Sequence, residues 1–103
     1  MGTVEVAYPG PGHAVDNLVV YIPSEKILFG GSAVRGAGSK SLGKIQNADL
    51  EAWPKSLQWT KSTYKDAVLV VPGHGKGSTL SLIDGTLKLL SEANASDETD
   101  EAP

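Results

Sequence analysis

The chain has two histidines, and both stand in the same setting. His13 lies in "YPGPGHAVDN", residues 8–17, and His74 in "AVLVVPGHG", residues 67–75, so each follows an apolar run and a Pro-Gly pair. Proline fixes φ and glycine permits close approach of the backbone, so such a bend aims an imidazole with little freedom. Metal coordination needs that rigidity, because ligand distances tolerate only about 0.2 Å. The same placement also suits a hydrogen-bonded or solvated turn residue. Two imidazoles are in any case too few for a catalytic zinc, which normally takes three protein ligands and a water. No H-x-H or H-E-x-x-H motif supplies more.

The elements that must position these residues read as strands first and helices later. Val4, Val6 and Tyr8 alternate with Thr3, Glu5 and Ala7, which predicts a strand running into the His13 loop. "NLVVYIP" and "KILFGG" predict a hairpin, and "GAGSKSLG", residues 36–43, a mobile surface loop. Leu50, Trp53, Leu57, Thr60 and Tyr64 make one stripe of a helix that starts near Trp53, with Asn47 or Asp49 as its cap. "AVLVVPGHG" predicts a buried strand. Leu80, Ile83, Leu87 and Leu90 predict a last helix, opened by Ser78 and weakened by Gly85. The class is α/β or α+β.

Composition narrows the remaining classes. The chain has 103 residues, 40% of them hydrophobic, enough for one modest core. The absence of cysteine excludes disulfides and thiolate metal sites. No run approaches the roughly 18 apolar residues of a membrane span, and Met-Gly-Thr-Val-Glu has neither the basic start nor the apolar stretch of a signal peptide. Five of the acids fall in the last twelve residues, so a domain over 1–92 and a disordered acidic tail over 93–103 are expected. The lysines at 40, 44, 55, 61, 65 and 76 are spaced as solvated positions without a nucleic-acid motif. "GHGKGST", residues 73–79, lacks the spacing of a phosphate loop.

Four segments carry a resemblance. "YPGPGHAVDNLVVYIP", "KILFGGSAVR", "SLGKIQNADLEAWPKSL" and "LVVPGHGK", in this order and at these separations, resemble the C-terminal half of a metallo-β-lactamase of the subclass with a cysteine in its second zinc site. The resemblance covers about residues 3–92. It implies half of an αβ/βα sandwich, one mainly antiparallel sheet with two helices on one face. It also implies a zinc-dependent β-lactam hydrolase of the periplasm as the parent.

Carried over residue by residue, the resemblance makes His13 the third histidine of the tri-histidine zinc site and His74 the histidine of the second site. Ser32 stands where the family has its zinc-binding cysteine, and a neutral hydroxyl is a poor substitute for a thiolate. Arg35 matches the cation that pairs with the substrate carboxylate. Lys44 stands at a common asparagine near the lactam carbonyl, and Asn47 at a common aspartate. The family's H-x-H-x-D motif, which supplies the other ligands, does not occur in this sequence. The isolated chain is therefore expected to be inactive on β-lactams, with zinc bound only in a complemented or dimeric assembly.

A single sheet with helices on one face leaves its other face uncovered. Val4, Val6, Leu18, Val20, Ile22, Ile27, Phe29, Val68 and Val70 include the apolar residues of that sheet. Two partners are expected for it: a complementary N-terminal half, or a second copy in a homodimer that acts as a non-catalytic, self-associating half-domain.

Overall fold

The structure, a computed structural model, describes the backbone of residues 3–100 and the side chains of residues 3–94. Strand β1 (Glu5–Ala7) leads into the His13 loop, and β2 (Val19–Ile22) and β3 (Ile27–Gly31) form the expected hairpin. Helix α1 (Ala52–Thr63) crosses to β4 (Leu69–Pro72), and α2 (Ser81–Asp100) closes the chain. The sheet order is β1-β2-β3-β4, antiparallel except for the β3/β4 pair. Parallel neighbours need a long crossover, which here contains α1.

Strand alternation sends residues to opposite faces. One face carries Val19, Tyr21, Leu28 and Val70, which join Trp53, Leu57 and Tyr64 of α1 and Ile83 and Leu90 of α2 in a single buried cluster. Both helices thus lie on the same side of the sheet. Across the opposite face the ladder aligns Val6, Val20, Phe29 and Val71 in one row, and Ile22, Ile27 and Leu69 in the next. Val70 therefore belongs to the covered face, not the open one. Leu69 and Val71 are the β4 residues facing out, because β4 enters its ladder opposite Ile27.

Three local expectations are refined. Asp49, not Asn47, opens α1: its carboxylate accepts from the backbone N–H of Glu51 and Ala52 at 3.1 and 2.9 Å. The hydroxyl at the start of α2 is Thr79, which accepts from the Ser81 N–H at 3.2 Å. Ser78 does not serve there because its backbone is paired with Val70 along β4. The stretch 36–43 has neither helix nor strand, yet it is held at several points. Ala37 donates to the Lys76 carbonyl, and Leu42 is buried in the core.

Helix backbone continues through 93–100, across most of the segment for which disorder was expected. Extending an existing helix carries no nucleation cost, and Ala93, Ala95 and Glu98 are good helix formers. Residues 101–103, the end of that expected tail, lie outside the described residues. No helix among the described residues is long and apolar enough to cross a membrane.

Candidate functional site

The topology brings the chemistry to one edge of the sheet. Because β1 and β3 run the same way and β4 runs parallel to β3, all three strands end at that edge. His13 follows β1, Ser32 follows β3 and His74 follows β4. Backbone direction alone therefore gathers residues separated by up to about 60 positions in sequence.

The loops are fastened to one another through Ser32. Asn17 accepts from the Ala14 N–H with its Oδ1 at 2.8 Å and donates from Nδ2 to the Ser32 Oγ at 3.0 Å, so it joins the His13 loop to the end of β3. On the other side the Gly73 N–H donates to the Gly31 carbonyl at 2.8 Å. A Cβ on Gly73 would lie 2.9 Å from the Ser32 backbone nitrogen, so only glycine allows this approach. A Cβ on Gly36 would similarly lie 2.7 Å from the His74 carbonyl oxygen, which locks the loop after β3 against the loop after β4.

The two histidines differ in their surroundings. The half-buried His13 ring packs edge-on against Trp53, with centroids 5.6 Å apart. Trp53 is fully buried and fixed by its indole N–H, which donates to the Ala33 carbonyl at 2.9 Å. The Asp49 N–H donates to the Gly12 carbonyl, so the start of α1 also braces the loop. His74 is exposed, and only its backbone is clamped.

Arg35 is positioned from both ends. Its backbone N–H donates to the Thr86 hydroxyl at 2.9 Å, and its Nε–H donates to the Ser41 carbonyl at 3.1 Å. The guanidinium lies over Gly43, where an added Cβ would come within 3.3 Å of Nη1. Among the described residues its terminal nitrogens have no hydrogen-bond partner, so they are available to an anion. Lys44 and Asn47 are both exposed, Lys44 directly after that glycine. A cavity of about 220 Å³ beside Arg35, lined also by Ser39, Ser81 and Thr86, contains neither histidine.

Sequence reasoning singled out His13, Ser32, His74, Arg35 and Lys44 as candidates and did not name Asn17 and Thr86, whose side chains bond the loops around them. Asn17 had a signal, since an asparagine just after a Pro-Gly bend commonly bonds nearby backbone. Thr86 had none beyond lying one helical turn from Leu82 and Leu90. Among the described residues, no three His, Cys, Asp or Glu side chains form a group that could hold a metal ion.

No family model matches the chain. A metallo-beta-lactamase type 2 of Bacteroides fragilis is 44% identical over 85 residues, covering 82% of this chain and 34% of that protein. The corresponding protein of Pseudomonas aeruginosa is 49% identical over 83 residues, covering 81% and 32%. The solved metallo-beta-lactamase from Pontibacter korlensis superposes with a TM-score of 0.86 at 46% identity, covering 87% of this chain and 42% of that one. The FIM-1 enzyme of Pseudomonas aeruginosa, solved in a mono-zinc form, gives a TM-score of 0.84 at 34% identity, covering 89% and 43%. Over most of its length the chain is similar in sequence and fold to metallo-β-lactamases, and it spans about a third of the length of the curated relatives it matches.

Proposed function

We propose that this chain supplies one part of a zinc-dependent β-lactam-hydrolysing site and does not hydrolyse β-lactams alone. The observation that carries the reading is the meeting of three strand ends, with the loops of His13, Ser32 and His74 joined through Asn17 and Gly73. In this reading His13 and His74 each give an imidazole to a metal shell that a segment bearing H-x-H-x-D completes. Arg35 receives the substrate carboxylate on its terminal nitrogens, a geometry suited to a planar fork. Lys44 stands at the exposed rim beside it. The periplasm is the compartment this reading implies.

The donors present do not fit zinc by themselves. Two neutral imidazoles and a hydroxyl fall short of the normal three good ligands, and the Ser32 oxygen already accepts from Asn17. Zinc is therefore assigned to an assembly with the complementary segment.

Hydrolysis of a chromogenic cephalosporin with zinc added tests the reading. The isolated chain should give no turnover above background, and a mixture with a fragment carrying H-x-H-x-D should give turnover. Robust hydrolysis by the isolated chain, or an inactive mixture in which the two chains do associate, would sink it. In the active mixture, Ser32→Cys should raise zinc content. Identical zinc content across a chelator titration would remove Ser32 from the metal shell.

A second reading, a non-catalytic self-associating half-domain, is favoured by a different observation: the uncovered face of the sheet.

A further inference from the structure

Three cavities lie between α2 and the loop that follows β3, on the helix side of the sheet and away from its open face. Their volumes are about 220, 300 and 310 Å³. The first two share Ser39, Gly85 and Leu89, and the last two share Lys40, Leu89 and Glu92, so they make one continuous groove along α2. From Ser81 to Ala93 the helix rises about 18 Å, which sets the length of the groove. Leu42, Leu82 and Leu89 are apolar and form its floor. Lys40 stands on the loop wall and Lys88 on the helix wall, both exposed, and among the described residues neither has an acidic partner. Arg35 closes one end and Glu92 the other, so the groove carries net positive charge. The loop wall also has unused backbone donors: among the described residues the N–H groups of Gly38, Lys40 and Ser41 meet no protein acceptor.

We propose that this groove binds an extended acidic peptide segment of another protein. Length is the first argument. An extended chain advances about 3.3 Å per residue, so a groove of about 18 Å takes about five or six residues. Alternation is the second, since every other side chain of such a segment turns down to the leucine floor and those between turn out to the walls. Charge is the third. Lys40 and Lys88 face each other across the groove with Arg35 at its end, so they attract an acidic segment and repel a basic one. The free N–H groups of the loop wall then meet the carbonyls of the bound chain. No stretch of sequence shows this site, because Lys40 and Lys88 stand 48 positions apart and only the docking of the loop on α2 brings them to one groove. The groove contains neither histidine nor Ser32. It goes beyond the function proposed above and does not rest on it.

Fluorescence anisotropy of a labelled hexapeptide of alternating aspartate and leucine, titrated with the 103-residue chain at low salt and without zinc, tests the site. Binding should saturate with a Kd below about 1 mM, and the same peptide with lysine in place of aspartate should not bind. Lys40→Glu and Lys88→Glu reverse charges at the rim, and each should weaken binding by about 5-fold or more. Gly85→Leu should abolish it. A Cβ at Gly85 meets open space and leucine favours helix, so this chain folds while its side chain fills the groove where the first two cavities join. Lys55→Glu, exposed on α1 and outside the groove, should change the Kd by less than about 2-fold. Four results would overturn the proposal: no saturation up to about 1 mM, equal binding of the lysine peptide, full affinity in Gly85→Leu, or attachment to phosphatidylglycerol vesicles while the acidic peptide stays unbound. The third of these would place the peptide on another surface, such as the open face of the sheet. None of the readouts involves zinc or β-lactam, so failure here leaves the hydrolase reading untouched, and the reverse also holds.

Discussion

The two faces of the sheet are built from the same residue types and meet different fates. Leu28 is fully buried beneath the helices, whereas Phe29, its neighbour in β3, is 39% exposed on the other side. Val70 and Leu69 repeat the contrast in β4, at 0% and 38%. Both faces have the valine, isoleucine and leucine content of a core, so composition does not distinguish them. The covered face has the indole of Trp53 and the stripes of α1 and α2 above it; the open face has nothing of this kind among the described residues. An apolar face is thus a demand for a partner, and here the chain meets that demand on one side only.

The largest test of this contrast is a pair of truncations. Leu28→Ala should cost about 2–5 kcal/mol in urea unfolding, since it opens a cavity in a packed core. Phe29→Ala should cost the single chain under about half as much, with the rest of its effect appearing in self-association. Equal losses would show that the open face is packed as tightly as the covered one. A smaller loss is expected from Thr86→Val. The Thr86 hydroxyl donates to the Leu82 carbonyl and accepts from the Arg35 N–H, so its removal orphans that amide at about 1–3 kcal/mol. Exchange of the Arg35 amide with solvent should accelerate; unchanged protection would mean that another acceptor replaces the hydroxyl.

Alkaline pH probes the end of α1, where the Tyr64 ring packs against Tyr21 of β2. Burial, and then the charge of Glu5, hold the Tyr64 phenol above its ordinary 10.0. The folded chain keeps that proton more tightly than the unfolded one. The resulting stabilisation is present below about pH 10 and is lost as pH rises through the raised value. Tyr64→Phe should flatten that part of the stability profile, and an unchanged slope would assign it to other groups. The smallest effect lies away from both faces. Gly85 is exposed within α2, and an added Cβ there meets open space. Gly85→Ala should therefore raise stability by up to about 1 kcal/mol, and a loss would show that the cleft beside Arg35 needs the glycine.

Much of this architecture was legible in the residues. Alternation from Val4 to Tyr8 marked β1, the apolar runs on either side of Pro23 marked the hairpin, and the stripe from Leu50 to Tyr64 marked α1. Ser78 was misread because a serine ahead of an apolar stripe looks like a cap, although its backbone is engaged by β4 and leaves the role to Thr79. The loop at 36–43 looked free from its glycines and serines. Its anchors, Lys76 for Ala37 and the core for Leu42, come from elsewhere in the fold.

The sequence by itself determined the elements, their order and the residue types delivered to each strand end, because periodicity, Pro-Gly bends and motif spacing are local properties of the chain. Only the tertiary structure decided which sheet face the helices cover, and so placed Val70 inside and Leu69 outside. Alternation defines two faces, but the crossover through α1 selects between them. It also decided that the Ser32 hydroxyl is engaged by Asn17 and that Gly73 seats the His74 loop against it. Those contacts depend on the approach of backbones about 15 to 40 residues apart, which no local pattern records.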